Sequence, residues 1–110
     1  SANRCFYCLV AHGQAVRALS GDPHLGEMLV MNYRVAPVSA RQRAMLDFAW
    51  TLTTTPWEVE APHRAALFDA GLTEAEIFDL ADVIGFFNMT NRFAIASDMM
   101  PNPSYHAMNR

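Results

Sequence analysis

The segment from Thr73 to Met99 limits the possible folds of this chain more than any other part of its sequence. Thr73 and Glu76 stand three residues apart and form a capping box, a pair of side chains that opens many helices. The apolar residues that follow fall on nearly every side of a helix: Ile77, Phe78, Leu80, Val83, Ile84, Phe86, Phe87, Met89, Phe93 and Ile95. Such a helix is buried all round, in a core or at a subunit contact. We therefore predict a long helix to about Met99, in which Gly85 marks either a close helix crossing or a tolerated glycine.

Helix start and stop signals predict further helices ahead of this one and no convincing strand. They run from about 3 to 19, 23 to 33, 39 to 55 and 62 to 70. Asn3 and Asp22 are the predicted N-caps of the first two, because their side chains can accept hydrogen bonds from free backbone N–H groups. Ser39 and Gln42 form a second capping box, which opens the third. The chain is therefore expected to be all-α, with about five helices.

The composition excludes several classes of protein and favours self-association. With 52% hydrophobic and 17% charged residues, the chain is not disordered, and it is less charged than an average soluble domain, at about 25%. A formal net charge of -3 argues against binding to nucleic acid. No apolar run approaches the roughly 18 to 20 residues of a membrane span, and the first residues lack the pattern of a signal peptide. A small domain with few charges hides part of its surface in a partner, so we expect a homo-oligomer.

The two cysteines of the chain, Cys5 and Cys8, belong to one short motif that also contains His12. Residues three, four and seven apart share one face of a helix, so both thiols and the imidazole are predicted on a single stripe. Cα atoms one turn apart lie about 5 to 6 Å from each other, which suits a disulfide. Free N–H groups near a helix N-terminus stabilise a thiolate at Cys5, and His12 can accept a proton from Cys8. The motif predicts a redox-active dithiol beside a proton-transfer group.

Two other interpretations of this motif stay open. A CxxC pair is often half of a zinc site, with His12 as a third ligand and His24, His63 or His106 as candidates for the fourth. No spacing in the sequence supports any of the last three. Alternatively, the cysteines are packed core residues beside a surface histidine. We favour the redox interpretation, because the histidine follows the pair at a helical spacing.

Three segments of the chain resemble the alkylhydroperoxidase D-like, or carboxymuconolactone decarboxylase-like, family, and especially its peroxidase-related branch. They are NRCFYCLVAHGQAVRAL, YRVAPVSARQRAMLDFAWTLT and AALFDAGLTEAEIFDLADVIGFFNMTNRFAIA, in the family's order. The resemblance implies an antiparallel helical bundle, assembled as a trimer, hexamer or related homo-oligomer. It also implies that residues 1–100 form the family's helical domain without its N-terminal helices. We expect residues 101–110 to be an irregular C-terminal arm, because they contain two prolines and no periodicity.

The same resemblance implies that the protein reduces a small hydroperoxide and is recycled by a dithiol reductant. Cys8 maps onto the cysteine that attacks the peroxide, Cys5 onto the cysteine that resolves the intermediate, and His12 onto a histidine of the family's proton relay. The helix-dipole argument alone favours Cys5 as the nucleophile, so the two lines of inference differ. The family's relay glutamate precedes the first cysteine by about a dozen residues, which is upstream of Ser1. Either it lies there, or the relay is completed in another way.

Other polar residues are weaker candidates for the site. Asn88, Asn91 and Arg92 interrupt the apolar last helix, where polar groups need partners. They would line the site, bind across a subunit contact or, more simply, form an internal hydrogen-bond network. Asp47 and Trp50, on the third helix, could flank the site.

Two alternative functions accompany the peroxidase. A carboxymuconolactone decarboxylase-like lyase, acting on a small lactone acid, resembles this fold but does not need the cysteine pair. A non-catalytic oligomeric module would use the pair as a redox sensor. We expect the thiol peroxidase, and we expect it to work without a cofactor, because the cysteines themselves carry the electrons. A dithiol that must cycle fits the reducing cytoplasm, and neither a membrane nor a nucleic-acid partner is expected.

Overall fold

The structure is a computed structural model that describes residues 2–110. In that range it contains no β-strand and five helices: α1 (Phe6–Ser20), α2 (Leu25–Asn32), α3 (Ala40–Thr54), α4 (Ala61–Asp69) and α5 (Glu74–Ala96). Short 3-10 helices lie after α2, α3 and α5, at Tyr33–Val35, Pro56–Glu58 and Pro103–His106. The predictions of an all-α fold and of five helices are confirmed.

Both predicted capping boxes are present. The Ser39 hydroxyl accepts the N–H of Gln42 at 3.1 Å, and the Gln42 side chain accepts the N–H of Ser39 at 2.9 Å. At the start of α5, the N–H of Thr73 donates to the Glu76 carboxylate at 2.8 Å, and the N–H of Glu76 donates to the Thr73 hydroxyl at 3.2 Å. The bond from the Thr73 N–H, with a smaller contribution from Arg41, lowers the pKa of Glu76 against the opposing effect of desolvation.

The predicted caps of the first two helices are wrong. Cys5, not Asn3, is the N-cap of α1, because its sulfur accepts the N–H of Cys8. Asp22 does not cap α2, which begins at Leu25 with His24 at its N-cap position. The Asp22 carboxylate instead accepts the N–H of His24 at 2.8 Å, so it closes a turn ahead of the helix.

Helix α5 ends at Ala96, three residues before the predicted end at Met99. The N–H of Met99 donates to the carbonyl of Ala94 at 3.0 Å, and the N–H of Asp98 donates to the carbonyl of Ile95 at 3.2 Å. This pair of bonds is a Schellman motif, in which Asp98 takes the left-handed conformation at φ 50°. Glycine usually holds that position, so an aspartate there is no sequence signal for a helix end.

The chain forms two compact units, one of residues 3–37 with 90–110 and the other of residues 38–89. The core of the second unit is formed by five buried apolar side chains, Phe48, Leu67, Leu72, Ile77 and Ile84. In the first unit, α1 and α2 approach closely at two glycines. A Cβ on Gly26 would lie 3.5 Å from the carbonyl oxygen of Gly13, which is ordinary van der Waals contact.

The last residues of the chain pack along α1 in the first unit. The guanidinium group of Arg17 donates to the carbonyls of Tyr105 and Met108, each at 3.0 Å. At the very end of the chain, Arg110 pairs with Glu27 of α2 at 2.9 Å. We call residues 101–110 the C-terminal arm.

Much of the apolar surface of α5 is exposed in the single chain. Phe78, Phe86 and Phe93 are 76%, 53% and 65% exposed. A Cβ added at Gly85 would have no atom within 4 Å, so residues 2–110 of a single chain make no close crossing at this glycine. None of the helices described is both long enough and apolar enough to cross a membrane.

Candidate functional site: the dithiol at the start of α1

The two cysteines lie where the chain enters α1. Cys5 has the extended backbone of an N-cap, with φ -84° and ψ 109°, and its sulfur accepts the N–H of Cys8 at 3.3 Å. Cys8 is therefore the third residue of the helix, and a CxxC pair that begins at the cap brings both sulfurs to one side of the first turn.

Cys5 and Cys8 form a disulfide, with their Cα atoms 5.3 Å apart. This distance lies within the usual range for such bonds, so the helical turn holds the pair without any displacement of the backbone. The two residues differ in exposure: Cys5 is only 3% exposed, whereas Cys8 is partly exposed. A reactant from solvent therefore reaches Cys8 more easily than Cys5.

The residues just before Cys5 fix the start of the helix. Arg4 has a left-handed backbone at φ 50°, a conformation that is uncommon for residues other than glycine. The side-chain amide of Asn3 donates to the side-chain oxygen of Asn91 on α5 at 2.7 Å. The polar interruption of α5 at Asn91 thus holds the segment that leads into the dithiol.

His12 lies four residues after Cys8 on the same uninterrupted helix, and it is exposed. Positions four apart on a helix share a face, so Cys8 and His12 lie on one side of α1, with Cys5 at its N-cap. This side of the first two turns therefore carries a disulfide and, one turn further on, an imidazole.

The weaker candidates lie in several places. The side-chain amide of Asn88 donates to the Thr53 hydroxyl at 3.1 Å, which is the internal hydrogen bond considered from the sequence. Arg92 lies on the exposed side of α5. Asp47 and Trp50 are exposed residues of α3, in the compact unit that does not contain the dithiol.

The histidines considered as zinc ligands have other surroundings. His24 is at the N-cap position of α2, and the ring of His63 accepts the N–H of Glu60 at 3.1 Å. The ring of His106 lies 6.0 Å from that of Phe6. Among residues 2–110, no three His, Cys, Asp or Glu side chains are grouped so that they could hold a metal ion.

Sequence reasoning missed Arg17, a buried residue whose guanidinium group ties the C-terminal arm to α1. An arginine in the last turn of a helix is normally explained by the helix dipole and by solvent. Its acceptors are backbone carbonyls about 90 residues away in sequence, and no pattern of side chains predicts such partners.

No protein-family profile matches the chain, and no curated protein matches it. A solved structure, described as an uncharacterized peroxidase-related protein from Silicibacter sp. TM1040, has 62% sequence identity and a TM-score of 0.95. The match covers 98% of this chain and 56% of that one. A second, described as the alkylhydroperoxidase AhpD core of an uncharacterized peroxidase-related protein from Ralstonia eutropha JMP134, has 38% identity and a TM-score of 0.94, over 99% of this chain and 57% of that one.

The likeness extends over nearly all of this chain, which spans little more than half the length of either solved chain. Together with the all-helical fold, it confirms the resemblance found in the sequence: the chain belongs to the alkylhydroperoxidase D-like family. Both similar structures are described as peroxidase-related, which is the branch that the three sequence segments indicate.

Proposed function

We propose that this protein is a thiol-dependent peroxidase that reduces a small hydroperoxide and cycles through the Cys5–Cys8 disulfide. The observation that carries the proposal is a disulfide one helical turn long, with one sulfur buried at the N-cap and the other partly exposed. The description of both similar structures as peroxidase-related supports it. A dithiol that must be reduced after each turnover also fits a reducing compartment, so we propose a cytoplasmic location.

In the proposed reaction, the Cys8 thiolate attacks one peroxide oxygen, the O–O bond breaks, and the alcohol leaves. Cys8 becomes a sulfenic acid. The Cys5 thiolate then attacks the sulfur of Cys8, the S–O bond breaks, water leaves, and the disulfide forms. An external dithiol reduces this disulfide and is itself oxidised to a disulfide, which restores both thiols. The peroxide thus accepts two electrons from the external dithiol in each cycle.

The different exposure of the two sulfurs assigns them different roles in this proposal. Cys8 is the more exposed of the two residues, which supports it as the nucleophile and as the point at which the external dithiol attacks. Cys5 accepts the N–H of Cys8 at the positive end of the helix, which stabilises its thiolate. A stabilised thiolate is a good leaving group, so Cys5 is released readily when the reductant attacks Cys8. In the reduction step, the helix dipole thus suits Cys5 to the role of leaving group.

His12 completes the proposed site by moving protons. It would accept the proton of the Cys8 thiol and deliver it to the alkoxide that leaves when the O–O bond breaks. Its position one helical turn beyond Cys8, on the exposed side of α1, supports this role.

Peroxide consumption with dithiothreitol as donor tests the assignment of the cysteines. We expect Cys8→Ser to be inactive. Cys5→Ser should react once with cumene hydroperoxide and leave a sulfenic acid on Cys8 that dimedone traps. If dimedone trapped Cys5 in the Cys8→Ser variant as fast as it traps Cys8 in the Cys5→Ser variant, the two roles would be reversed. Full activity in the double serine variant would contradict the proposal.

A second measurement tests His12. We expect His12→Gln to lower the rate of thiol oxidation by roughly 100-fold, as is typical for loss of a general acid–base group. His24→Gln is the matched control, because His24 is also exposed but lies at the N-cap position of a different helix, where its side chain makes no capping bond. Equal rates in the two variants would remove His12 from the mechanism.

We also propose that the protein assembles with copies of itself through the exposed side of α5. Phe78, Phe86 and Phe93 are separated by eight and seven residues, so they line one side of the helix. A row of exposed aromatic residues is typical of an interaction surface. Phe86→Glu should give a smaller species in sedimentation velocity, whereas Phe68→Glu, equally exposed on α4, should not. A monomeric wild-type protein would contradict this assembly.

A further inference from the structure

We propose that a cavity between α1, α2 and the C-terminal arm binds a small monocarboxylate with an apolar body. The cavity has a volume of about 250 Å³, and all its lining residues belong to the unit of residues 3–37 and 90–110. At about 30 Å³ for each water-sized group, it holds about eight non-hydrogen atoms. The proposed peroxidase reaction makes no use of it.

The cavity lies on a different side of α1 from the dithiol. Four of its α1 residues are spaced by four, three and four positions, which places them on one stripe: Phe6, Val10, Gly13 and Arg17. Cys8 and His12 lie on another side of the helix, and neither they nor Cys5 lines the cavity. The cavity is therefore a separate site on the same helix.

Arg17 gives the cavity its charge. The residue is only 6% exposed, and its guanidinium donates to two neutral acceptors, the carbonyls of Met108 and Tyr105. Within residues 2–110, no carboxylate is paired with it. The remaining nitrogen, Nη1, lies 3.6 Å from the point where a Cβ on Gly13 would stand. A buried cation without an anion is costly, so a carboxylate at Nη1 would gain a charge-assisted hydrogen bond.

The rest of the lining selects the kind of anion. The walls are mostly apolar and include Leu9, Val10, Val30 and Met31, so transfer of a hydrocarbon body from water into the cavity is favourable. The other charged lining residues, Glu27 and Arg110, pair with each other at 2.9 Å and leave the charge of Arg17 unbalanced. One unused guanidinium nitrogen among apolar walls suits a monocarboxylate better than a hydrated phosphate, which needs several donors.

Hexanoate is a suitable probe, because its size matches the cavity. In an NMR titration of the whole chain, we expect saturable shifts of the Gly13, Val30 and Met31 amides. 1-Hexanol has the same chain without the charge, and it should bind at least about tenfold more weakly. Equal binding of the acid and the alcohol, the absence of saturation by hexanoate, or shifts confined to other residues would each overturn the proposal.

Two variants locate the site. In Gly13→Ala, the added Cβ makes only an ordinary contact with Arg17, so the fold survives but the space beside Nη1 is filled, and hexanoate affinity should fall at least about tenfold. Gly85→Ala is the matched control in another helix, with no atom within 4 Å, and should leave affinity unchanged. Arg17→Gln should bind the acid no better than the alcohol. Unchanged affinity in Gly13→Ala would overturn the proposal.

The test is independent of the proposed peroxidase activity. The double variant Cys5→Ser/Cys8→Ser should bind hexanoate as the wild type does, because neither residue lines the cavity. If this variant lost hexanoate binding, the cavity would not be a separate site, and the proposal would fail while the peroxidase assay stood.

Discussion

Reduction of the Cys5–Cys8 disulfide should cost the fold little, and this separates a catalytic disulfide from a structural one. The bond joins residues three apart, so it closes a loop of only four residues. For a loop of that length, the chain-entropy relation gives about 6 cal/mol/K, or about 2 kcal/mol at 25 °C. The hydrogen bond from the Cys8 N–H to the Cys5 sulfur can persist in the reduced form and continue to cap α1. We therefore expect reduction to lower the free energy of unfolding by at most about 2 kcal/mol.

Urea unfolding followed by circular dichroism, with and without a phosphine reductant at one protein concentration, measures this difference. The double variant Cys5→Ser/Cys8→Ser is the control, because its unfolding should not respond to the reductant. A reduced protein that is unfolded in water, or that loses more than about 4 kcal/mol, would refute the reasoning. It would show that the disulfide is a structural bond, since a peroxidase must stay folded as a dithiol.

Two further predictions concern the second compact unit. Leu67 is completely buried, whereas Leu19 is 90% exposed. Leu67→Ala should therefore lower the free energy of unfolding by about 3 to 4 kcal/mol, and Leu19→Ala by less than about 0.5 kcal/mol. Similar unfolding midpoints of the two variants in urea would contradict the described core. The pKa of Glu76 is lowered from 4.5, chiefly by the N–H of Thr73, so its capping contribution is complete above that pH and is lost as the pH falls through the folded-state pKa. Glu76→Gln should therefore flatten the acid side of the stability profile, and an unchanged profile would exclude this origin.

The helices and two of their caps could be predicted because those signals are local. Ser39 with Gln42 and Thr73 with Glu76 act within one turn of chain, so sequence spacing alone defines them. Asn3 is not the cap, because α1 begins only at Phe6, after Cys5, and the side-chain amide of Asn3 donates instead to Asn91, a residue distant in sequence. Competition between a local and a distant partner is decided by the packed structure, and a single sequence does not contain the result.

The pairing of Cys5 with Cys8 was predictable for the same reason, since the two residues lie within one turn at the start of α1. The cavity was not, because its walls come from both ends of the chain. The Arg17 guanidinium donates to the backbone carbonyl of Tyr105. Every residue type has such a carbonyl, so the spacing of side chains in the sequence does not indicate this contact. Residues 101–110 contain no regular helix beyond a 3-10 turn, and the carbonyls that Arg17 bonds belong to this irregular backbone.

Because Cys5 belongs to the disulfide and its sulfur also accepts the N–H that starts α1, the backbone amide of Cys8 should report directly on reduction of that bond. A thiolate attracts that proton more strongly than a disulfide sulfur does. The amide resonance should therefore move downfield, and its exchange with deuterium should slow, each time the pair is reduced. The resonance of this one backbone amide could thus be used to measure the fraction of reduced protein without any added dye.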